Sequence, residues 1–243
     1  MDTQTRRVVA VTGANRGLGL LTVRALLERG DEVIAHHRTD STELGALREK
    51  FGERLHAVRG DLTEETTAQA VAERAHSLGR LHAVVHNAGI ARDQPLVRMP
   101  VEDWDEVIRV NLRSAFLVTK HAVRMMMRKR YGRLVYVSSL SAVVGNAGQS
   151  AYAASKAGLH GLSQTTAQEY ARYGIRTVVV APGFLDTGLT HALPDSVARA
   201  KAGRSLLGMG SAESVAATVA FLAGPGADNI NATVVHSDGG IAF

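Results

Sequence analysis

Tyr152 and Lys156 stand four residues apart in the run Tyr152-Ala153-Ala154-Ser155-Lys156. On an α-helix that spacing puts both side chains on one face. A cation beside a phenol favours the phenolate, so this tyrosine is expected to titrate below its ordinary value of about 10. It can then hand a proton to an alkoxide forming from a carbonyl, or take one from an alcohol. Upstream, Ser138-Ser139-Leu140-Ser141 brings hydroxyls to the carboxyl end of a strand pattern, where open α/β sheets bind ligands. A serine there can hydrogen-bond a substrate carbonyl. Each feature alone also has a plainer reading: a helix-surface contact worth a few tenths of a kcal/mol, and a turn or cap serine.

The third chemical feature is the turn Thr12-Gly13-Ala14-Asn15-Arg16-Gly17-Leu18-Gly19. It follows the first strand pattern and opens the first helical one. Glycines there permit a tight turn and close approach of a pyrophosphate, which the helix N-terminus can bind through its free N–H groups. Its spacing is GxxxGxG, and a strand-to-helix turn without ligand is the alternative. Its place at the first strand–helix junction favours the dinucleotide.

Positioning these groups requires strands and helices in alternation. Apolar, β-branched runs occur at 7–12, 32–36, 55–59, 82–86, 133–138, 175–181 and 232–236. Amphipathic stretches occur near 18–29, 41–51, 64–78, 101–130, 150–173 and 211–223. Continuous runs such as Val8-Val9-Ala10-Val11 suit parallel strands buried on both faces. The pattern predicts an α/β protein: a Rossmann-type, doubly wound parallel sheet of about seven strands with helices on both faces. No repeat or linker divides the chain, so residues 1–243 are expected to form one domain. The irregular stretch 184–210 is read as a lid or substrate loop.

Composition narrows the chemistry further. The chain has no cysteine, which excludes disulfides, thiolate metal sites and a cysteine nucleophile. Its ten histidines are scattered. His36 and His37 are neighbours at a strand end and point apart, and no HExxH motif is present, so no metal site is expected. The net charge is +5, but the basic residues are dispersed without interleaved aromatics, which argues against nucleic acid. No segment reads as a signal peptide or membrane span, so a cytoplasmic protein is expected.

Together these features resemble the short-chain dehydrogenase/reductase family over nearly the whole chain. The resemblance implies that Gly13, Asn15, Arg16, Gly17, Leu18 and Gly19 form the cofactor turn. Asp61 and Leu62 match the adenine-contacting segment, and Asn87, Ala88 and Gly89 match the second signature. Pro182, Gly183, Phe184 and Thr187 fall in the segment beside the nicotinamide. Asn111, Ser139, Tyr152 and Lys156 match the catalytic set, with Tyr152 and Lys156 also touching the cofactor. In the implied roles, Ser139 holds the carbonyl oxygen and Tyr152 donates the proton. Lys156 lowers the Tyr152 pKa and binds the ribose, and Asn111 holds a water that relays the proton.

Within the family, the segments 87–93, 145–149 and 182–187 look most like the β-ketoacyl-acyl-carrier-protein reductases. That implies reduction of a 3-oxoacyl group on an acyl carrier protein, in fatty-acid, polyketide or polyene synthesis, by a homotetramer. The alternatives are a dehydrogenase of small free alcohols, sugars or steroids, and a non-catalytic dinucleotide sensor; the intact catalytic set argues against the sensor. The expected coenzyme is NADPH. The second strand ends in Ala35-His36-His37-Arg38, without the carboxylate that an NAD site uses, and Arg16 and Arg38 suit a 2′-phosphate. Arg128, Lys129, Arg130 and Arg172 are expected to dock the acidic carrier near the site mouth. The chain departs from the family pattern at His86, where Asn is usual. It departs again at Ser205-Leu206-Leu207-Gly208, in place of Pro-x-Gly-Arg, and at Asn231-Ala232, in place of Thr-Gly.

Overall fold

The computed structural model describes residues 6–186 and 203–240. Thr187, most of the expected lid and the last three residues lie outside the described residues. Seven strands form one parallel sheet: β1 (Val8–Thr12), β2 (Glu32–His37), β3 (Leu55–Arg59), β4 (Ala83–His86), β5 (Gly132–Val137), β6 (Ile175–Pro182) and β9 (Thr233–Ser237). Their order is β3-β2-β1-β4-β5-β6-β9. Two short strands, β7 (Leu185–Asp186) and β8 (Gly210–Ser211), pair separately. The helices are α1 (Gly17–Glu28), α2 (Thr42–Phe51), α3 (Glu65–Ser77), α4 (Val101–Ile108), α5 (Ser114–Lys129), α6 (Ser141–Val144), α7 (Ser150–Tyr170) and α8 (Ala212–Leu222).

Strand alternation sends side chains to opposite faces, and each face has its own core. On one face Val9, Val11, Val33, Val85, Val135 and Val178 pack with Val23, Leu26 and Leu27 of α1 and Val215 and Val219 of α8. On the other, Val8, Ala10, Ile34, Val84, Leu134 and Val179 pack with Val71 of α3, Val118 and Met126 of α5 and Leu159 of α7. The apolar runs of the sequence are therefore strands covered twice, as a doubly wound sheet requires. The strand order reverses between β1 and β4, and the crevice at their carboxyl ends is where such sheets bind ligands.

The structure differs from the sequence pattern in the long middle helix. The stretch expected as one helix over 101–130 is α4 and α5 joined by a π-helical turn, Arg109–Arg113. Such insertions are rare and occur most often at functional sites. This one carries Asn111.

Candidate active site

The glycine turn crosses the carboxyl end of β1 and is stapled to the loop after β4. Asn87 Nδ2 donates to the carbonyls of Thr12 and Gly13 at 3.1 and 3.0 Å. Thr12 Oγ1 accepts from the amides of Asn87 and Ala88 at 3.0 and 3.1 Å. The Asn87 carboxamide thus shapes the turn from behind. Gly13 has φ +66, and a Cβ there would lie 2.8 Å from the Ala88 Cα. At Gly19 a Cβ would lie 2.1 Å from the Gly13 carbonyl oxygen. Neither position tolerates a side chain, so the turn stays thin. α1 then starts at Gly17 with no side chain capping its first amides and no acid in its first turn. Open amides and an exposed Arg16 fit a dinucleotide pyrophosphate.

Around this turn the other expected cofactor residues gather at the same edge of the sheet. Asp61 follows β3, and its Oδ1 accepts from the Thr63 amide at 2.9 Å. Its carboxyl is held below the usual range: burial pushes up, but the Thr63 hydrogen bonds and the charges of Arg38 and Arg109 prevail. Leu62 is buried beside it. Pro182 ends β6, and its carbonyl accepts from the Leu140 amide at 2.8 Å. Gly183 lies against Asp238, where a Cβ would meet the Asp238 Cα at 2.8 Å. The Phe184 carbonyl accepts from the Gly210 amide at 2.8 Å.

The proton-handling residues converge from three elements. Asn111 is buried in the π turn, and its carboxamide clasps Ile90. The Ile90 amide donates to Asn111 Oδ1 at 2.8 Å, and Asn111 Nδ2 donates to the Ile90 carbonyl at 2.9 Å. The same Nδ2 donates to Ser155 Oγ at 2.9 Å, tying α7 to the π turn. Lys156 is buried one turn beyond Tyr152, and its Nζ donates to the Val137 carbonyl at 2.8 Å. A Cβ on Gly89 would sit 3.2 Å from Lys156 Nζ and 3.3 Å from Asn111 Oδ1, so Gly89 is the thin wall between them.

Burial lowers the Lys156 pKa to about 8. Tyr152 goes the other way from the sequence expectation: its pKa is raised. Burial of the phenol is the largest cause; the hydrogen bond with Ser139 opposes it and the charge of Asp93 adds to it. The ammonium lies 5.8 Å from the ring centroid and is hydrogen-bonded to a carbonyl, so it does not offset the desolvation of the phenolate. Tyr152 is accordingly held as the protonated acid, the form needed to donate.

Sequence reasoning assigned no role to a polar chain that orients Ser139. Gln149 Nε2 donates to Asp93 Oδ2 at 2.8 Å, and Gln149 Oε1 accepts from Ser141 Oγ at 2.8 Å. The Ser141 amide in turn donates to Ser139 Oγ at 3.1 Å. Asp93 and Gln149 lay in the family-like segments, but only their pairing across 56 positions reveals the link.

The glycine turn, the Tyr–Lys pair, the serine and the asparagine thus share one crevice, in the chain order of a known family. The family model described as short chain dehydrogenase matches residues 7–198. The chain belongs to the short-chain dehydrogenase family. Among its relatives, a Salmonella typhimurium protein named 3-oxoacyl-[acyl-carrier-protein] reductase FabG is 38% identical, with 97% of each chain covered. The Thermotoga maritima reductase of the same name is also 38% identical, covering 98% of both chains. Nodulation protein G of Rhizobium sp. is 36% identical over 98% of each. A solved Agrobacterium tumefaciens structure assigned as a gluconate dehydrogenase superposes with a TM-score of 0.89 at 28% identity, covering 96% of this chain and 94% of that one. This short-chain dehydrogenase is an oxidoreductase of a nicotinamide dinucleotide.

The basic helix ends lie elsewhere than the sequence reading placed them. Arg130 Nη2 donates to the Arg172 carbonyl at 3.0 Å, so the ends of α5 and α7 form one patch. Tyr152 is near the start of α7 and Arg172 just past its end, about 30 Å apart at 1.5 Å per residue. The patch is therefore at the amino edge of the sheet, away from the crevice of its own chain. Among the described residues, no group of three or more His, Asp or Glu could hold a metal. No helix there is long and apolar enough to cross a membrane.

Proposed function

We propose that this protein uses NADPH to reduce a 3-oxoacyl group, carried on an acyl carrier protein, to the 3-hydroxyacyl form. The observation that carries the reading is the half-buried Tyr152 hydrogen-bonded with Ser139 in the crevice of a chain whose relatives include proteins named acyl-carrier-protein reductases. Bound along the glycine turn, NADPH supplies the hydride. Ser139 holds the substrate carbonyl by its hydroxyl, which the Asp93–Gln149–Ser141 chain orients. Tyr152 delivers its proton to the developing alkoxide, where charge stabilisation contributes most. Lys156, one helical turn away, is placed to bind the ribose, and Asn111, fixed on Ile90 and facing Lys156 across Gly89, holds the water that relays the replacement proton. Arg16 and Arg38 are exposed and have no hydrogen-bond or ion-pair partner for their guanidinium groups among the described residues, as suits a 2′-phosphate.

The second reading, a dehydrogenase of a small free alcohol, is favoured by the likeness to the protein assigned as a gluconate dehydrogenase. The basic patch separates the two. Since it is remote from the crevice of its own chain, a carrier docked there serves the site of a neighbouring copy, which fits a homotetramer. The test compares acetoacetyl groups on an acyl carrier protein with an untethered ketoester and with small polyols, using wild type and Arg130→Glu. Carrier-linked substrate is expected to be preferred, and Arg130→Glu to weaken that activity alone, less so as salt rises. Equal loss of both activities, or a preference for the polyol, overturns the carrier reading.

A further inference from the structure

His37 is the last residue of β2 and lies 18 positions after Gly19. It is only 4% exposed, yet neither ring nitrogen has a hydrogen-bond partner among the described residues. Buried polar side chains are nearly always paired, so an orphaned imidazole requires a reason. Its neighbour His36 faces the other way, with ring nitrogens 3.4 Å from the Gly13 amide and 3.0 Å from the Gly60 carbonyl. Asp40 approaches His37 Nε2 only to 3.5 Å, and its other oxygen is paired with Arg59 at 3.1 Å. The Asp40 side chain is 71% exposed and can move aside without disturbing the core.

The loop that follows is folded back on the glycine turn. Asn15 Nδ2 donates to both oxygens of Thr39 at 3.1 Å, and Ser41 Oγ donates to the Asn15 carbonyl at 2.7 Å. Arg16 and Arg38 therefore sit on two segments that are bound to each other at the end of β2. A pyrophosphate on the N-terminus of α1 directs the adenosine ribose to the end of β2. His37 occupies the place where an NAD site presents its acid.

We propose that His37 is a proton-dependent ligand of the coenzyme 2′-phosphate, binding as the imidazolium only when the phosphate is present. The inference rests on the NADPH reading above and adds to it a mechanism of selectivity. In the free protein the ring is held neutral. Burial lowers its pKa below the usual histidine range, Arg59 works in the same direction, and Asp40 opposes them. His36, lowered by its own burial to about 4, stays neutral beside it. Asp40, Arg59 and His36 are the charged or titratable groups that act on the ring. A phosphate dianion placed against it favours the charged form. Binding NADPH near neutral pH then takes a proton from solution, whereas NADH, with an uncharged 2′-hydroxyl, takes none. Preference for NADPH grows as the pH falls and the ring is more readily charged, until protonation of the phosphate itself, near pH 6, reverses the trend.

Isothermal titration of NADPH and NADH, in two buffers of different protonation enthalpy at neutral pH, counts the protons directly. Wild type is expected to take up a substantial fraction of one proton with NADPH and none with NADH. His37→Gln should abolish the uptake and weaken NADPH roughly tenfold near pH 6.5, the size expected for loss of one charged hydrogen bond. That gap should narrow as the pH is raised and the wild-type imidazolium is lost. His37→Asn is the second variant, and a thermal melt shows whether each is folded. Tight, selective NADPH binding without proton uptake in wild type, or unchanged uptake in folded His37→Gln, overturns the role of His37 and leaves the coenzyme reading standing. Equal affinity of wild type for NADH and NADPH overturns both.

Discussion

Replacing Asn111 by Leu tests how the active site is held together. The two side chains have nearly the same shape, so the substitution removes hydrogen bonds without opening a cavity. Three contacts go: the amide and carbonyl of Ile90, and the hydroxyl of Ser155. Ser155 keeps its bond to the Tyr152 carbonyl at 2.7 Å and loses little. The two Ile90 groups lose their partner on a residue that is only partly exposed. An unsatisfied backbone group costs about 1–3 kcal/mol when buried. Partial access to water puts the pair near the low end, roughly 2–3 kcal/mol in all. For a chain of this size each kcal/mol moves the melting temperature by about 2–4 °C. The variant should therefore melt roughly 4–12 °C lower. Its turnover should also fall at least tenfold, because Gly89 and Ile90 drift from Lys156. Differential scanning calorimetry and steady-state rates on one preparation measure both. A melting temperature unchanged within about a degree would refute the clasp, whatever happened to the rate.

Other substitutions probe the remaining links. Tyr152→Phe should lower turnover by roughly 10² or more, with the melting temperature preserved, as removal of a general acid requires; a near-normal rate in the folded variant overturns its role. Lys156→Met should abolish activity yet raise stability near pH 7. Its pKa falls from 10.5 unfolded to about 8 folded, a penalty of roughly 3 kcal/mol on the buried ammonium, offset in part by its bond to Val137. Because the unfolded chain binds the proton more tightly, wild-type stability recovers as pH rises from about 8 towards 10.5. The advantage of the variant should therefore shrink over that window, and melts showing a constant difference would contradict the linkage. Ala232→Gly should stabilise by about 0.5–1 kcal/mol, because Ala232 is held at φ 52, a left-handed strain that glycine does not feel. A lower denaturation midpoint for that variant would show that the strain is absent.

Much of this protein is legible in the order of its residues. The strand patterns at 55–59 and 175–181 reappear as β3 (Leu55–Arg59) and β6 (Ile175–Pro182), because apolar alternation is a local property. The Tyr152–Lys156 face is equally local, fixed by the helical repeat. What the order could not supply depends on partners remote along the chain. The π turn exists in a stretch that reads as one helix, and it forms where Asn111 meets Ile90, 21 positions away. The raised pKa of Tyr152 reverses the expectation from its neighbouring lysine, because desolvation is set by everything packed around the ring. The Asp93–Gln149–Ser141 chain and the unpartnered ring of His37 emerge only when loops from different strands meet at one edge of the sheet. The basic patch joins Arg130 to Arg172 at the opposite edge, because a helix of 21 residues carries its two ends about 30 Å apart. Sequence spacing determines which groups share a face; burial, pairing and distance across the molecule are decided by the tertiary packing.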